Sequence, residues 1–177
     1  MRVVFDTCVL VPSFLRAVLL AAADKSQVEV VVSPRILAEW VRAGKTPLQS
    51  LEAKAAVTRF RWQYETAIRP DPTSLAQFWL PDPNDIHILA LAVTQNADVI
   101  VTHNKVDFPQ NELRSYGIDR MDPDAFLRLL LKGQGPGLTA AIQPIMAEAR
   151  AAHPDLSASD IWHKAWLPQF GRLIDKL

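Results

Sequence analysis

Three short apolar runs divide this chain: Val3-Val4-Phe5, the VEVVV stretch at residues 28–32, and Val99-Ile100-Val101. Each is too short for a helix and rich in β-branched residues, and each is followed within a few positions by polar residues and a helix start. A near-continuous apolar run, without strict alternation, marks a strand covered on both faces, as parallel strands are. Strands alternating with helical stretches predict an α/β fold, a doubly wound domain around a parallel sheet.

The helix starts are explicit. Ser33-Pro34 and Asp82-Pro83 each place a capping side chain before a proline at the first helical position. They open helices through Ile36, Leu37, Trp40 and Val41, ending near Gly44, and over residues 84–95. Residues 14–23 are apolar on most faces and predict a buried helix, and residues 51–67 a longer amphipathic one. Residues 71–79 fit helix or loop. A further strand is expected at 117–121 and a helix at 123–131, capped by Asp122. Gly133-Gln134-Gly135-Pro136-Gly137 is the clearest break in the chain. Helices at 138–152 and 157–174 follow it, the second carrying Trp162, Trp166 and Phe170. The expected division is 1–132 and 138–177, with the tail packed on the first part or on a second copy.

At 177 residues the chain is long enough to bury a core without disulfides or a structural metal. A single cysteine, Cys8, excludes an intramolecular disulfide and fits a reducing cytoplasm. No secretory signal is visible, and no apolar stretch nears the roughly 20 residues a membrane helix needs. Formal net charge is zero, so any nucleic-acid contact rests on local cations, not on the overall field.

Four acids stand where an apolar run ends or a helix begins: Asp6 after Phe5, Glu39 beyond the second run, Asp85 at a helix head, and Asp107 after the third run. In an open parallel sheet the carboxyl ends of the strands converge on one edge, the usual ligand edge. Carboxylates gathered there repel one another unless a hard cation neutralises them. An all-oxygen set selects Mg²⁺ or Mn²⁺ over zinc, and the spacing of His87 and His103 fits no zinc pattern. Asp82 has a competing explanation as a helix cap, and Asp85 as a first-turn acid favoured by the helix dipole. Asp85 is the expected ligand, with Asp82 as substitute. Thr7 and Thr102 follow strands, where a hydroxyl can hold metal-bound water or cap a turn. Asn104 offers a neutral oxygen. Arg35, Arg42 and Lys105 are expected phosphate contacts, with Lys45 and His103 nearby. Trp40, Trp62 and Trp79 are expected in the core in preference to stacking on bases. Residues 51–67, with Arg59 and Arg61, offer a face to a partner helix.

With these residues in place the chain resembles the PIN-domain ribonucleases of the VapC toxin type. The resemblance is carried by Val3-Val4-Phe5-Asp6-Thr7-Cys8-Val9-Leu10, then Ser33-Pro34-Arg35-Ile36-Leu37-Ala38-Glu39-Trp40. It continues through Leu80-Pro81-Asp82-Pro83-Asn84-Asp85-Ile86-His87 and Val99-Ile100-Val101-Thr102-His103-Asn104-Lys105-Val106-Asp107-Phe108. It covers about residues 1–131, and residues 138–177 resemble a helical extension of one bacterial subgroup. It implies a three-layer α/β/α fold with a central parallel sheet and a pocket formed by Asp6, Glu39, Asp85 and Asp107. It also implies Mg²⁺ or Mn²⁺, RNA cleavage, a cognate antitoxin and a homodimer. Cys8 stands where this family often has Asn, and Asn84 where the subgroup often has Asp.

The expected activity is metal-dependent hydrolysis of RNA phosphodiesters, with Asp6, Asp85 and Asp107 as metal ligands. Glu39 completes the site, binds a second ion or takes a proton from water. The alternatives are a non-catalytic PIN-like module that binds RNA or protein, and a structure-specific DNA nuclease. An aspartyl-phosphate phosphatase is disfavoured, because Cys8 stands where its second Asp belongs.

Overall fold

The computed structural model describes all of residues 1–177. In chain order the elements are β1 (Arg2–Phe5), α1 (Thr7–Leu10), α2 (Ser13–Lys25), β2 (Glu29–Val31), α3 (Pro34–Arg42), α4 (Pro47–Gln63), α5 (Ile86–Thr94), β3 (Val99–Val101), α6 (Gln110–Arg114), β4 (Asp119–Met121), α7 (Pro123–Gln134), α8 (Pro136–Ala152), α9 (Ala158–Lys164) and α10 (Pro168–Ile174). Single 3₁₀ turns lie at Glu65–Ala67 and Pro83–Asp85. The chain is α/β with a four-stranded sheet in the order β2-β1-β3-β4, and β1 runs parallel to both its neighbours.

Two compact units interleave in sequence. The first comprises Met1–Val11 and Glu29–Arg120, the second Pro12–Val28 and Met121–Leu177. In the first, Val3, Val4 and Phe5 are fully buried at the sheet centre, flanked by Val30 and Val31 on one side and Val99, Ile100 and Val101 on the other. The apolar runs are therefore strands covered on both faces, as their lack of alternation requires. Helix α5 packs on β1 and β3 with Ile88, Leu89, Leu91 and Ala92 buried. Ser33 caps α3 by accepting from the Ile36 N–H, with Pro34 in the first turn. Ile36, Leu37 and Trp40 turn inward, and the Trp40 ring meets Phe60 of α4 edge-on at 6.1 Å.

The second unit is helical. Helix α2 packs against α7 and α8, and α10 against α7 and α9. Asp124 on α7, almost fully buried, accepts from the backbone N–H groups of Gln169 and Phe170 at 3.0 and 2.9 Å and pairs with Arg128 at 2.9 Å. It thus satisfies orphan donors at the start of α10. Trp162 packs on Phe14 and Phe170, and its indole N–H donates to Asp175.

Several element boundaries differ from expectation, for local reasons. The segment 157–174 is two helices, because Trp166 takes a positive φ of 62° and Pro168 restarts the chain. Helix α4 begins at Pro47, capped by Thr46, and ends at Gln63. Residues 71–79 contain no helix or strand. Trp40 is buried, whereas Trp62 and Trp79 are exposed, which corrects the expectation that all three are core residues. No helix is long and apolar enough to cross a membrane.

Candidate functional site

Asp6 ends β1 and stands at the head of α1, yet its carboxylate makes no cap contact there. It is buried and turned the other way, accepting from the Thr102 hydroxyl at 2.5 Å and the Cys8 thiol at 3.0 Å. Its backbone N–H bonds the Val101 carbonyl, so β1 and β3 deliver Asp6 and Thr102 to the same sheet edge. Thr102 in turn accepts from the Asn104 N–H at 2.9 Å, which sets the loop after β3.

That loop carries Asn104 and Asp107. The Asn104 amide donates to Asp107 at 2.7 Å and to Asp85 at 3.2 Å, while its oxygen accepts from the Asp107 backbone at 3.2 Å. The oxygens of Asp82, Asp85 and Asp107 offer ligand atoms within 4.8 Å of one another, all half-buried. Asp82 caps the 3₁₀ turn by accepting from the Asn84 N–H and still faces the other two acids. Asp85 heads α5 without capping it. Burial, and then the charges of Asp6, Asp82 and Asp107, push the Asp85 carboxyl up from 3.8 to about 6. A carboxyl raised by burial and by neighbouring acids marks a site where a bound cation would be welcome. Three close carboxylates, whose hydrogen-bond donors from the chain are the neutral groups of Asn84 and Asn104, match what a hard divalent cation binds.

Glu39 belongs to a different circuit. It accepts from the Thr7 hydroxyl at 3.1 Å and pairs with Arg35 at 3.2 Å and, more loosely, Arg42 at 3.9 Å. His87 Nε2 lies 3.0 Å from Glu39 Oε1, the ring buried on α5 against the carboxylate. Burial acts to raise the Glu39 carboxyl, but His87, Arg35 and Thr7 outweigh it and hold the carboxyl below its ordinary value. Arg35 also donates to the Asn84 carbonyl at 3.2 Å, tying α3 to the turn that carries Asp82 and Asp85.

The structure brings Asp82, Asp85 and Asp107 into one cluster and sets Asp6 within electrostatic reach of it. Asp82, ranked second to Asp85 by its cap, both caps and faces the cluster. Thr7 and Thr102 turn their hydroxyls onto Glu39 and Asp6. Among the expected phosphate contacts, Arg35 is engaged by Glu39 and Asn84, Arg42 is largely exposed, and Lys105 is exposed on the loop after β3. Two further residues, not among the expected ligands, join the site. His87, two positions after Asp85 on an apolar helix, is buried against Glu39. Cys8 joins Asp6, Thr102 and the His103 N–H, and burial followed by the Asp6 charge pushes its thiol up to about 12. Its signal was its place two residues after Asp6.

A family model described as PIN domain matches residues 2–106. A curated protein of Mycobacterium tuberculosis named "Putative ribonuclease VapC50" is 49% identical over 43 residues, 24% of this chain and 25% of that protein. The match thus spans about a quarter of that relative's length. No solved structure matches. With more than half its length matched, and with the sheet and acidic edge described above, the chain belongs to the PIN-domain family.

Proposed function

We propose that this chain is a metal-dependent endoribonuclease that hydrolyses RNA phosphodiester bonds, the toxin of a type II toxin–antitoxin pair. The observation that carries the reading is the Asp82–Asp85–Asp107 cluster, whose oxygens lie within 4.8 Å of one another and whose Asp85 carboxyl is raised by burial and then by its neighbours' charge. The name of the M. tuberculosis relative supports the ribonuclease assignment and the toxin class.

Asp85 and Asp107, with Asp82 and Asp6, would hold Mg²⁺ or Mn²⁺. When bound, such an ion lowers the pKa of water and stabilises charge on phosphate oxygens. Asn104 orients Asp85 and Asp107 through its two donated bonds, and Thr102 and Cys8 fix the Asp6 carboxylate. Glu39, kept ionised by His87 and Arg35, is a weak base, and its part is to orient water by accepting a hydrogen bond. Arg42 and Lys105, both exposed, would contact the RNA backbone. A cognate antitoxin, a homodimeric assembly and a cytoplasmic setting complete the proposal.

The test is cleavage of a labelled single-stranded RNA with Mg²⁺, with Mn²⁺ and with EDTA, alongside a duplex DNA control. Cutting of RNA that needs the metal and is lost in Asp85→Asn supports the reading. Metal binding without cutting makes the chain a binding module, and cutting of DNA alone makes it a DNA nuclease.

A further inference from the structure

Residues 71–84 form a loop that one residue closes at its base. The Asp71 carboxylate accepts from the Arg35 backbone N–H at 3.1 Å, and the Arg35 guanidinium donates to the Asn84 carbonyl at 3.2 Å. Arg35 also pairs with Glu39, and the far end of the loop carries Asp82 of the acidic cluster. Both ends of the loop therefore meet at the acidic edge. A loop rooted in a rigid scaffold at such a place is where binding residues concentrate.

Two apolar anchors fix the loop near its end. Phe78 is buried, its ring 5.6 Å from that of Tyr116, and Leu80 is almost fully buried. With both neighbours anchored inward, Trp79 is turned outward. It is 60% exposed and makes no ring contact within the chain. Trp162, by contrast, is buried between Phe14 and Phe170 with its indole N–H paired to Asp175. An indole held in water forgoes the burial that makes tryptophan stabilising, so packing gives no reason for one at position 79. Three residues separate it from Asp82, a span of about 10 Å at most. A nucleotide beside a phosphate held at the cluster lies within that reach. The exposed loop neighbours Thr73, Ser74 and Gln77 are polar, so Trp79 is an isolated ring and not part of the broad apolar patch a protein partner needs. An isolated aromatic face suits a nucleobase, because every base has a π face to stack on it.

We propose that Trp79 is a substrate-positioning residue, an indole platform on which one base of single-stranded RNA stacks beside the scissile phosphate. This rests on the nuclease reading for its site, and adds which part of the strand is recognised there. The probes are three labelled strands of equal length and charge: oligoadenylate, oligouridylate and an abasic strand. Binding is followed by anisotropy in EDTA and again with Ca²⁺, a hard cation for the cluster. The parent is expected to bind adenine best and the abasic strand least, because the larger purine stacks more strongly. Trp79→Ala weakens oligoadenylate binding about tenfold and leaves the abasic strand within about twofold. Trp79→Phe keeps most of the binding, since a smaller ring still stacks. In the cleavage assay Trp79→Ala raises KM about tenfold and leaves kcat within about twofold, as loss of uniform binding does. The substitutions are on the surface, and unchanged thermal melting shows that the fold is intact.

Equal weakening of all three strands by Trp79→Ala, or weakening of none, overturns the proposal. So does a parent chain that fails to tell the strands with bases from the abasic one. Metal-dependent cutting of RNA with the same KM in the parent and in Trp79→Ala keeps the nuclease reading and removes this one. Base-dependent binding through Trp79 without cutting does the reverse.

Discussion

Glu39 and Asp85 share one sheet edge, and the protein treats their charges oppositely. Around Glu39 the chain supplies its own compensation: a hydroxyl from Thr7, a guanidinium from Arg35 and the His87 ring. Around Asp85 it supplies more carboxylates and one neutral amide, with His87 only the smallest of the influences on it. The first carboxyl is held below its ordinary value, and the second is raised to about 6. A folded chain can complete a charged group internally, or leave it to be completed by something that binds. Here the two solutions are linked through Arg35, which touches both Glu39 and the turn beside Asp85.

The largest test of that contrast is catalytic. Asp85→Asn or Asp107→Asn is expected to lower RNA cleavage about a thousandfold in single-turnover assays, the scale of losing several kcal/mol of metal-assisted stabilisation. Retained activity would remove the cluster from the reaction.

Stability comes next, and its sign separates the two acids. Asp85 is raised, so the stability its protonated form lends is complete below 3.8 and lost as the pH rises through about 6. In metal-free protein at neutral pH, Asp85→Asn therefore raises stability by about 1–2 kcal/mol, less than the full 1.36 kcal/mol per pKa unit because solvent screens a half-buried group. Added Mg²⁺ raises the melting temperature of the parent chain but not of Asp85→Asn. Glu39 has the opposite sign. Its contribution is present above 4.5 and lost as the pH falls through its lower folded value. Glu39→Gln accordingly destabilises at neutral pH, which a thermal melt across pH resolves.

A smaller effect lies in the compensating shell. His87→Ala is expected to slow cleavage about tenfold, the cost of leaving the half-buried Glu39 carboxylate short of a partner. It also moves the acid limb of the pH–rate profile upward. An unchanged profile would show that His87 only fills space. Smallest of all, Cys8→Ser should keep activity within about twofold, because a hydroxyl donates to Asp6 as the thiol does. The parent Cys8, with its thiol pushed up to about 12, should resist iodoacetamide at pH 8.

Much of this contrast was legible in the chain, because strands and capped helices are local signals. Val3-Val4-Phe5, Ser33-Pro34 and Asp82-Pro83 announced their elements, and the sheet topology then carried Asp6, Asp85 and Asp107 to one edge. Less legible were properties that depend on what lies across a contact. Nothing near Glu39 in sequence shows that His87 and Thr7 close on it, and a cap explained Asp82 well enough to obscure its second role. Trp62 and Trp40 are the same residue type on successive helices, and only the packing of α3 on α4 decides which one is buried.

Interleaving has a practical consequence for anyone shortening this protein. Helix α2 lies between β1 and β2 in sequence, yet its packing partners α7 and α8 come after residue 120. Deleting residues 138–177 would strip α8 from α2 and α10 from α7, laying bare apolar surface far from the cut. Substitution within the same packing carries a comparable risk. A methyl group at Gly171 would meet the Trp162 ring at 2.4 Å, so Gly171→Ala forces that indole off Phe14 and Phe170. The last forty residues are structural members of the fold, and trimming them invites aggregation in place of a shorter folded protein.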